Sequence, residues 1–311
     1  NLWRFTDTEV SNFSNDVLKF RKSIPTTFKV YELDLQEFKN RISQANNTES
    51  ISINLPTADG IQRFSIEEAS SISEVLSQKF PMIKSYVAKG IDNPSATARF
   101  SLGLDGFHGV IFYAGRPSFF IDPYTKDYNF YIAYSKKSLP QRDLNFRCEV
   151  EEHIDTKGAA SNSQRNADDG LLRIFRLAIV CSGEYAQFHL NDQGVDSNAS
   201  DAIKKAAVLS AMNTSMTRIN GVFERDLGVR MEIVDDNDQI IFLDAATDGI
   251  TDGNAGTMIG QVQTICDNTI GNANYDIGHI FSIGGSGLAG LGVVCLSGSK
   301  ARGVTAVSYT N

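Results

Sequence analysis

The chain has 311 residues, room for about two ordinary domains, and its 41% apolar and 21% charged content is that of a globular protein. It contains no run of about eighteen apolar residues, which excludes a membrane-spanning helix by the usual length criterion. The net charge is −8, and no Lys or Arg falls between Arg230 and Lys300, where Asp235, Asp236, Asp238, Asp244, Asp248, Asp252, Asp267 and Asp276 all lie. A phosphate backbone needs a basic footprint, so the charge pattern argues against nucleic acid as a partner.

From the N-terminus, residues 1–150 read as mostly antiparallel β with a few helices. In "VYELDLQEFKNRIS" a short strand pattern gives way to a helical one, and Ile51, Ile53 and Leu55 then alternate as a half-buried strand does. Asp59-Gly60 and Asp105-Gly106 are hairpin turn signals. Residues 73–80 form a short helical pattern stopped by Pro81, and strand-like text follows as far as "NFYIAYS". Residues 149–170, "EVEEHIDTKGAASNSQRNADDG", are polar and read as a linker, with Lys157 and Arg165 as cleavage candidates or, equally, as ordinary loop residues.

Residue 171 opens a second segment. "LLRIFRLAIVCSGEY" is a β run with Ile174, Leu177, Ile179 and Cys181 expected inside. Ser200 can cap a long helix from Asp201 to about Leu227, ended by Gly228. On that helix Leu209, Met212, Met216, Ile219 and Phe223 form one apolar stripe, which is core packing rather than a cofactor box. "VRMEIVDDNDQIIFLDA" reads as strand, turn, strand. Residues 257–270 read as a helix, and "YDIGHIFSI" as a strand. Helices alternating with strands predict an α/β layer with a mixed sheet.

Motif by motif, the chemistry is sparse. "GSGLAG" (residues 285–290) fits G-x-G-x-x-G, but a dinucleotide turn needs a following helix and an acid about twenty residues on. Here β-branched residues and more glycines follow, and no Asp or Glu comes after Asp276. His108, His153, His189 and His279 show neither i, i+4 spacing nor H-E-x-x-H, and His279 reads as a packed or hydrogen-bonded residue. The Asp clusters at 235–238 and 244–252 resemble calcium loops only loosely, lacking the EF-hand order of ligands. The four cysteines fit two disulfides in an oxidising compartment or buried free thiols. With no C-x-x-C present, a zinc ribbon is unlikely.

The stretch "NYDIGHIFSIGGSGLAGLGVVC" followed by "KARGVT" resembles secreted bacterial metallopeptidases of the reprolysin-like, adamalysin-related metzincin class. "LAIVCSGEYAQF", "AMNTSMTRINGVFERDLGVRMEIV", "IIFLDAATD" and "GQVQTICDNTIG" agree with it. In the first half, "KVYELDLQEFKNRI" and "FFIDPYTKDYNFYIAYSKKSL" are similar to the propeptide of that branch. The resemblance implies an α+β protein: a β-rich antiparallel prodomain (residues 1–150), a linker or activation segment (151–170), and an α/β zincin-type N-terminal subdomain (171–311) with a twisted mixed sheet and two main helices. It implies a secreted latent precursor, its signal peptide removed, of an enzyme that hydrolyses peptide bonds with zinc-activated water and possibly also holds calcium. The alternative is a secreted, non-catalytic binding protein that keeps the fold without a metal site.

The resemblance also assigns residues. Gly287, Leu288, Ala289, Gly290, Leu291 and Gly292 would be a cleft-edge strand on which a peptide pairs as an added strand. Cys148 would be a latency switch or else a structural cysteine paired with Cys181, and Cys266 and Cys295 would form a disulfide. The family's H-E-x-x-H-x-x-G-x-x-H should follow "KARGVT" and is absent from these 311 residues, so the expectation is a fragment without zinc ligands or general base, inactive by itself. Peptide or protein substrates, and pairing of the prodomain with the catalytic part, are the partners implied.

Overall fold

A computed structural model describes residues 2–7, 13–21, 23–43, 51–140, 147–152, 169–284 and 286–306. The first half builds a nine-stranded, wholly antiparallel sheet from β1 (Trp3–Thr6), β2 (Lys29–Leu33), β3 (Ile51–Thr57), β4 (Gly60–Glu68), β5 (Lys84–Gly90), β6 (Thr97–Gly103), β7 (Gly106–Tyr113), β8 (Arg116–Pro123) and β9 (Phe130–Ser135). Their order is β1-β2-β9-β8-β7-β6-β5-β4-β3, and the sheet curls until β1 and β3 touch. Both Asp-Gly turns close hairpins, with Thr57 opposite Gly60 and Gly103 opposite Gly106.

Period-2 alternation divides the labour of this sheet. Along β6, Ala98, Phe100 and Leu102 point into the curl, while Arg99 and Ser101 point out. The inside is packed with aromatic rings around Trp3, which meets Tyr31, Phe38, Phe107 and Tyr131 edge-on at centroid distances of 5.3–6.4 Å. Phe38 and Ile42 come from α1 (Leu35–Ile42), whose N-terminal N–H of Glu37 is capped by the Asp34 carboxylate at 2.9 Å.

The second sheet is mixed, in the order β10-β14-β15-β13-β11-β12, from β10 (Arg147–Glu152), β11 (Arg173–Cys181), β12 (Val229–Ile233), β13 (Ile277–Phe281), β14 (Ser286–Leu291) and β15 (Gly303–Thr305). Only β14 and β15 pair antiparallel. β11 is apolar on both faces because both are covered. Leu177, Ile179 and Cys181 face a core with α3 (Gly183–Asp192) and α4 (Asp201–Leu227), while Ala178 and Val180 face one with α5 (Ala255–Ile265). α4 starts at a Ser200 cap and ends at Gly228, whose φ of 63° is the left-handed turn that glycine takes most cheaply. No described helix is long and apolar enough to cross a membrane.

The structure is thus a mixed α+β protein with one large antiparallel sheet, and it departs from the sequence reading in four places. The second half has a third helix, α3, where Ser182 caps the chain and accepts from Tyr185 N. "IIFLDA" is not a strand: after β12 the chain forms a 3-10 turn (Asn237–Ile240), and Ile241 makes a lone bridge to Cys181. Ile174 is exposed, not buried. Strand β10 straddles the expected boundary at residue 150 and belongs to the second sheet. α2 (Glu74–Lys79) also crosses over, with Leu76 and Phe80 in the core beneath α4.

If the first-half core hangs on the Trp3 cluster, Trp3→Ala should lower the unfolding free energy in urea by about 3–5 kcal/mol.

Candidate functional site at the glycine-rich strand

The residues 287–291 of the glycine-rich stretch form most of a strand. No helix follows β14, so the stretch is not a phosphate turn. Instead it folds back antiparallel on β15, with Gly287 opposite Thr305, Leu288 opposite Val304 and Ala289 opposite Gly303. Leu288 turns into the core beneath α5 beside Met258 and Val262. Gly292 lies just past the strand. Two glycines in the strands behind permit close approach. A Cβ on Gly303 would sit 2.3 Å from the His279 ring, and one on Gly278 would sit 2.2 Å from Ala301 Cβ. His279 rests on that gap with Nε2 2.8 Å from Thr305 Oγ1, and burial pushes its pKa down to about 4.

The outer side of β14 is paired. β10 runs parallel along it, with Cys148 beside Gly287, Glu149 beside Leu288, Val150 beside Ala289, Glu151 beside Gly290 and Glu152 beside Leu291. The small residues of β14 leave room for this neighbouring backbone. Glu149 and Val150 are exposed, so β10 is held chiefly by its main chain. The backbone of Cys148 is placed here, but its side chain lies outside the described residues, as do Lys157, Arg165 and His153.

The expected disulfides do not form. Cys266 and Cys181 are buried free thiols and Cys295 is an exposed one. Cys266 sits at the end of α5 facing Gly278, whereas Cys295 stands on a surface turn at φ 62°. Burial, with Asp267 adding to it, pushes the Cys266 thiol up to about 12, and burial raises Cys181 well above the ordinary range.

The acidic loops are occupied by the chain's own backbone. Asp248 accepts from Gly183 N and Ile250 N, both at 2.8 Å, and Asp244 accepts from Ala246 N and the Thr247 hydroxyl. Asn237 completes β11 as a strand would: its Oδ1 accepts from Ile179 N at 2.7 Å and its Nδ2 donates to Ile179 O at 3.0 Å. Asp252 is raised to about 6 by burial and by Glu184 and Asp248. Among the described residues, no three His, Cys, Asp or Glu side chains converge as a metal would require, so neither zinc nor calcium finds a ligand set in them.

Sequence reasoning missed the polar seam joining the two halves. The outward face of the nine-stranded sheet meets α4 through hydroxyls and ions. Ser210 and Thr214 both donate to Asp105, Ser101 bonds Thr214 at 2.9 Å, Arg218 pairs with Asp122, and Arg99 with Glu224. His108 adds its Nδ1 to Asp122 at 2.8 Å. Burial alone would raise the Asp122 pKa, but Arg218, His108 and Arg21 outweigh it and hold the carboxyl below the usual range. The signal was present: Ser210, Thr214 and Arg218 recur every fourth residue, a polar stripe beside the apolar one.

With this geometry in view, comparison with known proteins adds three findings. Residues 209–311 match the family described as Metallo-peptidase family M12B Reprolysin-like, which relates that segment to metallopeptidases. Among solved structures, the chain is similar to metalloproteinase-II from Bacteroides fragilis at 12% identity and a TM-score of 0.42, over 89% of this chain and 81% of that one. No curated protein matches the sequence.

Three outcomes follow from this chemistry. In the native protein a thiol reagent should modify Cys295 rapidly, and Cys181 and Cys266 only on unfolding. Asp122→Ala should cost about 3–5 kcal/mol by leaving buried cations unpaired. Because the folded pKa of Asp122 is depressed, its contribution is present above about pH 4 and fades as pH falls further, so the variant should show a flatter acid limb. For Asp252 the sign reverses. Its folded pKa is raised, so its contribution is present below about pH 4 and lost as pH climbs through about 6. Asp252→Asn should therefore raise Tm on the order of 2 °C at pH 7 and leave it unchanged at pH 4.

Proposed function

We propose that this chain is the latent precursor portion of a secreted zinc metalloendopeptidase. In this reading residues 171–311 carry the substrate-aligning part of the catalytic unit, and residues 1–152 hold it closed. The observation that carries the reading is β10 lying parallel along β14. An extended peptide binds a sheet edge through the N–H and C=O groups the edge leaves unpaired, and small residues let its backbone come close. β10 uses those same groups, and one edge accepts one strand at a time. The match of residues 209–311 to the M12B family supports the assignment of the chemistry.

Such enzymes break the peptide bond with water activated on zinc. The contribution of residues 287–292 is alignment: they hold the peptide extended, with its main chain fixed, beside the metal-bearing part of the intact enzyme. Cleavage within 153–168, where Lys157 and Arg165 lie, cuts the tether between β10 and β11 and lets β10 be displaced. Cys148, opposite Gly287 in register, is placed by its backbone to act in latency.

The product of the complete source gene, before and after cleavage of the 153–168 segment, tests this. The expected result is stoichiometric zinc, chelator-sensitive hydrolysis of an unfolded protein after cleavage, and little before it. A gene with no H-E-x-x-H beyond residue 311, or a zinc-free product, would remove the peptidase reading. Peptide binding without hydrolysis would favour the non-catalytic binding protein, and full activity in uncut protein would remove latency.

A further inference from the structure

The six-stranded sheet has two edges, and the first half of the chain covers both. At one, β10 lies on β14. At the other, β12 is outermost, and residues 71–73 lie against it. Ile72 makes a parallel bridge to Ile233, Ser73 N donates to Ile233 O at 2.9 Å, and Ile233 N donates to Ser71 O at 2.9 Å. Asn220 of α4 ties the same spot, its Nδ2 donating to Ser71 Oγ at 3.2 Å and to Met231 O at 2.8 Å.

The two attachments differ in kind. Val150 of β10 is 59% exposed, so that strand brings main-chain bonds with little apolar burial. Residues 69–83 instead enter the core: Ile72, Leu76 and Ile83 are at most 1% exposed and share a cluster with Leu177, Met212 and Ile233. Lys79 pairs with Asp238 at its rim. Apolar burial scales with area removed from water, whereas a main-chain bond exchanged with water contributes little net.

We infer that the attachments release in order. A cut between β10 and β11 frees β10 from β14, while residues 69–83 keep the first half bound to the second as a noncovalent two-chain complex. The edge of β14 then opens to extended peptides with the first half still in place as a resident subunit. The inference takes the position of the cut from the proposed function but none of its chemistry.

The test is the full chain carrying one site-specific protease sequence in 153–168 and a different one in 141–146. After the first cut, both pieces should elute as one species in size exclusion and native mass spectrometry at micromolar concentration. After both cuts, the short peptide containing β10 should separate while residues 1–140 and 169–311 stay together. Leu76→Ala should weaken that association by more than about 30-fold, with circular dichroism of the uncut variant as the folding control. Separation of the large pieces, or a β10 peptide that stays bound while they part, would overturn the inference. A zinc-free or inactive gene product would remove the proposed function and leave this result unchanged.

Discussion

A sheet edge presents a row of N–H and C=O groups that must be paired, covered or left to capture another strand. In this protein that requirement organises the whole chain. The six-stranded sheet ends at β14 on one side and at β12 on the other, and the first half of the chain supplies the missing partner at each. The halves are joined by completing each other's hydrogen bonding as much as by packing.

Helix α4 makes the arrangement possible because its faces have different chemistry. Leu209, Met212 and Met216 seal the core over β11, and Ser210, Thr214 and Arg218 meet the outer face of the nine-stranded sheet. Contacts between units within a chain are often polar in this way, which leaves relative motion open. The buried charges are demanding, however. Asp122 is tolerable only because Arg218, Arg21 and His108 surround it, so the seam holds as a set. The apolar intrusion of residues 69–83 supplies the contrasting, water-excluding contact.

Much of this was legible in the sequence. The Asp-Gly hairpins, the Ser73 and Ser200 caps, the Gly228 stop and the period-2 strands are local signals, and the structure contains each of them. The glycine-rich stretch was legible as a strand because nothing after it could form a helix. What was not legible depends on contacts far apart in sequence. α3 was hidden because "SGEYAQFHL" follows an apolar strand run without a break. "IIFLDA" has strand composition, but Asn237 already satisfies the backbone of β11 that a new strand would need. Cys266 and Cys295 pair well on parity, yet the fold buries one and exposes the other. The occupation of β14 by β10 joins segments nearly half the chain apart, and no local pattern in "RCEVEE" announces it.

The central claim is that β10 masks the β14 edge, and amide hydrogen exchange at residues 286–291 tests it most directly. In the intact chain these amides should be protected to the level of a paired strand, and Val150→Pro, which removes a main-chain donor and breaks β10, should raise their exchange by at least about ten-fold while leaving β11 protected. Exchange at 286–291 that is already fast in the intact chain, or that Val150→Pro leaves unchanged, would contradict the account.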